Sequence, residues 1–215
     1  MDVEDNVRRV REIMAEAANR SGRSPADVRL MAVTKTVADD RIAEAAKRKL
    51  EAMGKTGEWH LIGRLQTNKA KYAVRLFDMI HSVDRLELAA EIDRRARAAG
   101  LIMKILIEVN IAGEETKSGV PIADAVKLIR AVAPLPNLSV RGLMTMPPWF
   151  DDPEEARPCF RALRGLRDRI EADGIPRVEM AELSMGMTGD YAVAVEEGAT
   201  IVRIGRGIFG ERGTA

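Results

Sequence analysis

The 215-residue sequence holds one cysteine, Cys159, and two histidines, His60 and His81. It can close no internal disulfide, a usage that suits reducing cytosol, and these three side chains are a poor start for a zinc site. Long apolar runs are missing as well. The stretch LIMKILIEV (101–109) is broken by charge well short of the roughly 18 residues that a membrane span needs. The opening MDVEDNVRRVREIM has no apolar stretch of the secretory type, so no cleaved leader is expected. Nor is there a surplus of either charge: 34 Lys and Arg stand against 33 Asp and Glu, a net charge of +1. That excludes a nucleic-acid binder working through a broadly basic surface and leaves room only for a local basic pocket. No Gly/Ser/Pro-rich linker divides the chain, so one domain over residues 1–215 is expected. No Ser-His-Asp or Cys-His ordering and no H-E-x-x-H pattern is present.

What is there is core material, with 46% hydrophobic and 31% charged residues, and a steady alternation of two periods. Strand-like apolar runs are expected at VRLMAVT (28–34), WHLIGRL (59–65), MIHSV (79–83), MKILIEV (103–109), VRGLMTM (140–146), ELSMGM (182–187) and TIVRIG (200–205). Helical patterns are expected at about 4–21 and in the segments DDRIAEAAKRKLEAM, NKAKYAVRLF, DRLELAAEIDRRARAAG, IADAVKLIRAVA, PEEARPCFRALRGLRDRIEADG and GDYAVAVEEG. Several of these close on Gly100, Gly174 or Gly198, as helix C-termini do. Strands separated by single helices are βα units feeding a parallel sheet, either doubly wound or a TIM-like (β/α) barrel. The first turn, AVTKTVADD, lacks the glycine fingerprint of a dinucleotide fold.

Ligands of parallel α/β proteins gather at the carboxyl ends of the strands. Lys35 emerges there after an apolar strand. Partial desolvation at that rim lowers a lysine's pKa and favours Schiff-base chemistry with an aldehyde, against the plain alternative of a solvated lysine opening a loop. The run Ser184-Met185-Gly186-Met187-Thr188-Gly189-Asp190 and the run Gly205-Arg206-Gly207 follow the last two strands, where barrels often hold phosphate on backbone N–H groups. Ser184 adds a hydroxyl, and Arg203 and Arg206 add positive charge. Tight-turn glycine with structural arginine is the competing reading, since Gly-x-Gly alone is a weak signal. His60 and His81 are expected to be hydrogen-bonded structure rather than catalysts. The strand methionines are expected to fill core, with Met146 and Met185 the best placed to touch a ligand.

Taken in order, RSPADVRLMAVTKT, WHLIGRLQTNKAK, HSVDRLELAAEI, VNIAGEETKSGV, VRGLMTMPP and LSMGMTGDYAVAVEEGATIVRIGRGIFGER resemble the pyridoxal phosphate homeostasis protein family over nearly the whole chain. The resemblance implies a TIM-like barrel related to the barrel domain of alanine racemase, and pyridoxal 5′-phosphate as the cofactor. It implies no established turnover, so the chain is expected to be a cytoplasmic carrier rather than an enzyme, with enzymes that depend on the cofactor as partners and with neither nucleic acid nor membrane. It also implies that Lys35 is the Schiff-base lysine, that Ser184 and Gly205-Arg206 hold the phosphate with Met185 beside them, and that Arg203 lies close to the cofactor. Two other readings stand beside it: a fold-type III pyridoxal-phosphate enzyme such as an amino-acid racemase or decarboxylase, and a degenerate barrel that is only an interaction scaffold. The first needs a second domain and an opposing base for which the chain has no counterpart.

One departure from the family pattern is large. Only Thr36–Glu58 lies between Lys35 and the WHLIG strand, where the family has a helix, a second strand with an asparagine, and another helix. A parallel crossover needs a dozen or more residues, so the second strand has no room. The first strand and the WHLIG strand are therefore expected to face each other with unpaired edges, as an open barrel of seven strands or with a break in the chain between about 46 and 58.

Overall fold

Period-2 apolar runs and amphipathic helical stretches resolve into a parallel sheet wrapped on one side by helices. The computed structural model describes residues 2–34, 57–114 and 116–210. Its strands are β1 (Arg29–Ala32), β2 (His60–Leu61), β3 (Met79–Val83), β4 (Met103–Asn110), β5 (Val120–Pro121), β6 (Leu138–Met144), β7 (Val178–Ser184) and β8 (Ile201–Ile204). The helices are α1 (Val3–Arg20), α2 (Ala70–Leu76), α3 (Leu86–Ala99), α4 (Ala125–Val132), α5 (Arg157–Ala172), α6 (Tyr191–Glu196) and α7 (Arg206–Phe209). All strand pairs are parallel, in the order β1-β8-β7-β6-β4-β3-β2, with β5 paired to β4 off this path. The sheet curls as a TIM-like half-barrel. Among the described residues no helix is long and apolar enough to cross a membrane.

All seven expected strands are present, and β1 and β2 are the two ends of the sheet among the described residues. The helix expected over 39–53, the expected break between 46 and 58, and Lys35 itself lie outside the described residues. Two strands differ from expectation. The run 59–65 contributes a ladder of only two residues, and among the described residues β2 is paired to β3 alone. Strand β7 begins at Val178 rather than at 182; its first half is half exposed, so it carries no continuous apolar signal. The short β5 lies outside any apolar run.

The helices press one stripe each onto the outer face of the sheet. Helix α1 buries Val10, Met14, Ala17 and Ala18, α3 buries Leu88, Ala89, Ile92 and Ala96, and α5 buries Phe160, Leu163, Leu166 and Ile170. Each large side chain so buried stabilises by about 1.5–3 kcal/mol. Outward residues Met103, Ile105, Ile107 and Val109 of β4 join this core, while Leu106 of the same strand belongs to a separate inner cluster with Met79 and Met144. The inner face is thus apolar at mid-height and polar at both ends. At its lower end Glu58 pairs with Arg29 of β1 at 3.2 Å and with Lys104 of β4 at 3.6 Å, so side chains span the place where the ladder stops.

Strands β6 and β7 approach closest at Gly142, where the register shifts. Its φ is +151°, and a Cβ there would lie 1.9 Å from the carbonyl oxygen of Glu182. The neighbour is backbone and cannot swing away. Gly142→Ala is expected to lower stability by at least about 2 kcal/mol, and the melting temperature by roughly 4–8 °C for a chain of this size. A melting curve within about one degree of wild type would refute this packing.

Candidate functional site

The upper, carboxyl-terminal end of the inner face carries a cluster of polar groups with almost no solvent exposure: His81, Ser82, Glu108, Thr145, Ser184 and Arg203. Buried polar groups need partners, and most of these supply one another. Arg203 of β8 donates from Nη1 to Ser184 Oγ at 2.8 Å and from Nη2 to the Thr145 carbonyl at 2.8 Å. The Thr145 hydroxyl in turn donates to the Val109 carbonyl at 2.8 Å. Ser184 Oγ lies 3.0 Å from His81 Nδ1, His81 Nε2 lies 3.0 Å from His60 Nδ1, and His60 Nε2 lies 3.4 Å from Glu58.

One proton arrangement suits the two short contacts of this chain and leaves His60 Nε2 near Glu58 without a hydrogen bond to it. His60 Nε2–H points at the Glu58 carboxylate, His81 Nε2–H donates to His60 Nδ1, and the Ser184 hydroxyl donates to His81 Nδ1 while accepting from Arg203. Both rings must then be neutral. Burial pushes the His81 pKa well down, with the neighbouring His60, Arg203 and Arg29 adding to the effect. Burial also lowers that of His60, against the pull of Glu58. The two histidines are hydrogen-bonded structure, as expected. Arg203 is itself lowered to about 10 by burial, opposed by Asp190 and Glu108, and so remains charged at neutral pH.

Above this cluster two loops meet. After Ser184, the Gly186 backbone turns at φ +92°, and a Cβ there would sit 2.6 Å from the Ala194 Cβ. The Gly186 carbonyl accepts from the Arg203 N–H at 3.0 Å, and Asp190 Oδ1 accepts from the Met187 N–H at 2.6 Å. After β8, the Gly207 N–H reaches Thr188 Oγ1 at 3.3 Å, and a Cβ on Gly207 would come within 3.2 Å of the Thr188 methyl. The loops are pressed side by side because glycine lets the backbones approach. The end of β1 closes the group: the Val33 N–H donates to the Ile204 carbonyl at 2.8 Å, and the Val33 carbonyl would be 3.3 Å from a Cβ on Gly205.

The sequence-derived candidates fall into two layers. Gly205 and Arg206 stand on the loops, with the Arg206 guanidinium 5.4 Å from the centre of the Trp149 ring. Ser184 and Arg203 are sealed beneath them and bonded to each other. Met185 is fully buried in the outer core, and Met146 packs against the inner cluster. Two residues at this end were not anticipated from the sequence, Glu108 and Trp149, and Asp190 was named there only as the end of the Ser184–Asp190 run. Glu108 had a signal, a carboxylate inside the apolar run ILIEV. Trp149 had none, since its place over Gly189 and Arg206 is set by tertiary packing.

The electrostatics of Glu108 are unusual. Burial, with a further push from Asp84, raises its pKa to about 7 against the pull of Arg203 and Arg64. A raised folded-state pKa contributes stability that is complete below the ordinary carboxyl value and is lost as pH rises through about 7. Neutral, buried His81 works in the opposite sense, its contribution being lost as pH falls below the ordinary imidazole value. Glu108→Gln removes the first and keeps the second. Relative to wild type, the variant is expected to gain on the order of 2–3 kcal/mol between pH 4.5 and 8, given a wild-type carboxyl displaced from 4.5 to about 7. Denaturant unfolding across that range measures it, and parallel stability curves for the two proteins would contradict the buried charge.

Comparison with known proteins places this geometry. The family model for the alanine racemase N-terminal domain matches residues 3–213. A pyridoxal phosphate homeostasis protein of Aquifex aeolicus (strain VF5) is 42% identical over 228 residues, covering 99% of this chain and 99% of that protein. One of Escherichia coli (strain K12) is 37% identical over 234 residues, covering 98% and 97%. Both alignments run longer than the 215-residue chain, so these relatives hold residues that it lacks. PipY of Synechococcus elongatus PCC7942, solved with PLP bound, superimposes with a TM-score of 0.77 at 31% identity, covering 92% of this chain and all of that one.

Proposed function

Because the chain belongs to the pyridoxal phosphate homeostasis proteins, built on the alanine racemase N-terminal domain, we propose that residues 1–215 act as one unit that binds pyridoxal 5′-phosphate, holds it reversibly through Lys35, and passes it to enzymes that depend on it. The relatives bear the name of homeostasis proteins and not of an enzyme, which agrees with a carrier. Bound pyridoxal phosphate supplies an aldehyde that condenses reversibly with an amine.

The observation that carries this reading is the meeting of three strand ends. The loops after β7 and β8 are packed together at Gly207, Gly186 folds the first of them back onto α6, and the residues just ahead of Lys35 lie against Gly205. The donor set fits the group. Backbone N–H groups beside Gly205 and Gly207, with the Arg206 guanidinium, suit a phosphate. Arg203 supplies a fixed buried positive charge below. Ser184 has its hydroxyl engaged by Arg203 and His81, so its part is to hold Arg203 and the start of the loop in place.

The chemistry at Lys35 is tested by borohydride reduction and peptide mapping. Lys35→Ala is expected to keep its fold and lose the visible absorbance of the bound cofactor. An unchanged spectrum, with the label mapped to Lys69 or Lys117, would overturn the assignment.

The phosphate cradle is tested separately. A charge-assisted hydrogen bond is worth about 1.5–3 kcal/mol, so Arg206→Ala is expected to weaken pyridoxal phosphate by roughly ten-fold or more, with Ser184→Ala acting through a displaced Arg203. Pyridoxal without phosphate should be nearly indifferent to Arg206→Ala. Equal binding of both compounds to wild type and to both variants would remove the two loops from the site.

A further inference from the structure

Beside the cofactor loops, the ends of β4, β6 and β7 frame a cavity of about 380 Å3, lined among others by Glu108, Met146, Trp149, Phe150, Met187 and Asp190. Its floor is anionic and its walls are apolar. Glu108 is only 3% exposed, and among the described residues its carboxylate has no hydrogen bond and no ion pair. Two of the cations near it are committed elsewhere, and the third, Arg64, is exposed to solvent. Lys117, also on the cavity wall, pairs with Glu114 at 2.8 Å, and the Arg203 guanidinium is spent on Ser184 and the Thr145 carbonyl. Asp190 adds a second carboxyl, itself pushed upward by burial. Trp149 roofs the cavity, with its ring against Gly189 and the Arg206 guanidinium.

A carboxylate buried without a partner is costly unless it is protonated or meets a cation. Aromatic and methionine walls around two carboxyls suit a cation with an apolar body. We infer that this cavity binds a primary organic ammonium ion with a short apolar tail, the ammonium on Glu108 and Asp190 and the tail against Met146, Phe150 and Met187. An amino-acid zwitterion fits less well, since its carboxylate would face two carboxyls and a lysine already paired. The inference does not depend on Lys35 carrying the cofactor.

Titration calorimetry on the full chain tests it, with 2-phenylethylamine against 2-phenylethanol, its neutral counterpart of similar size. The protein is first treated with borohydride, so that no bound aldehyde is left to react with the amine. The amine is expected to bind saturably, and the alcohol at least about ten-fold more weakly. The charged groups facing Glu108 are Asp84, Arg203 and Arg64. Amine binding near pH 7 should therefore release a fraction of a proton from Glu108, seen as a heat that depends on the buffer. Glu108→Gln is expected to weaken the amine by about ten-fold or more and abolish the proton release, while leaving the alcohol unaffected. Equal affinity for amine and alcohol, wild-type amine affinity in Glu108→Gln, or amine binding without proton release would each overturn the inference. None of these results bears on the spectrum of the cofactor, so failure here is separable from failure of the carrier reading.

Discussion

A guanidinium enclosed in protein must find its acceptors there, because water is not available to replace them. Arg203 is 2% exposed on the inner face of β8, and its requirement for acceptors organises the upper half of the molecule. It takes the Ser184 hydroxyl from β7 and the Thr145 carbonyl from the end of β6, joining three strands across the curled sheet. Because Ser184 accepts from Arg203, its own proton is free to go to His81, and that choice propagates through His60 to Glu58. One buried charge thereby favours a single tautomer for each of two histidines more than one strand away. The same arginine places the loop above it, since its backbone N–H holds the Gly186 carbonyl.

The chain of contacts ends at Glu58, which meets Arg29 of β1 and stands next to β2. Among the described residues strands β1 and β2 are the two ends of the sheet, and a backbone ladder between them would demand the tilt and stagger of a closed barrel. An ion pair makes no such demand, because long side chains span a gap whose strands are out of register. Exposed pairs of this kind contribute little stability. Here the pair links β1 to the residues just ahead of β2 by side chains alone.

These relations were legible in the sequence to different depths. The seven-strand alternation was readable because each buried run, such as MIHSV or MKILIEV, is longer than chance mixing gives in a chain so rich in charge. The expectation of unpaired edges came from arithmetic on a crossover too short for a strand, and the segment it concerns lies outside the described residues. The early start of β7 was hidden, since Glu179 and Glu182 sit on it with partners, Arg141 and Arg29, that come from other strands. The chemistry of the two loops could be read from their glycines, but the layering could not. Nothing in LSMGM separates a serine facing a ligand from one sealed against an arginine nineteen residues on. That distinction depends on which face of the sheet each side chain takes, and a shift of register at Gly142 is enough to change it.

Glu108 shows how such a conflict becomes informative. Local pattern asks for an apolar residue in the middle of ILIEVN, and Val109 and Ile107 on either side go to the outer core as that pattern requires. A carboxylate at the intervening position turns inward, where its own burial raises its pKa to about 7 against the pull of Arg203 and Arg64, and among the described residues no cation pairs with it directly. Ion pairs elsewhere in the chain are closed. Glu197, for example, is as buried as Glu108 yet meets Arg157, Arg161 and Arg164 at 2.9–3.2 Å. The same fold therefore neutralises one buried glutamate threefold and leaves the other open toward a cavity. Violations of local consistency are expected to cluster at functional sites, and the contrast between these two carboxylates locates one at the carboxyl ends of β4, β6 and β7, next to the loops that the sequence had singled out.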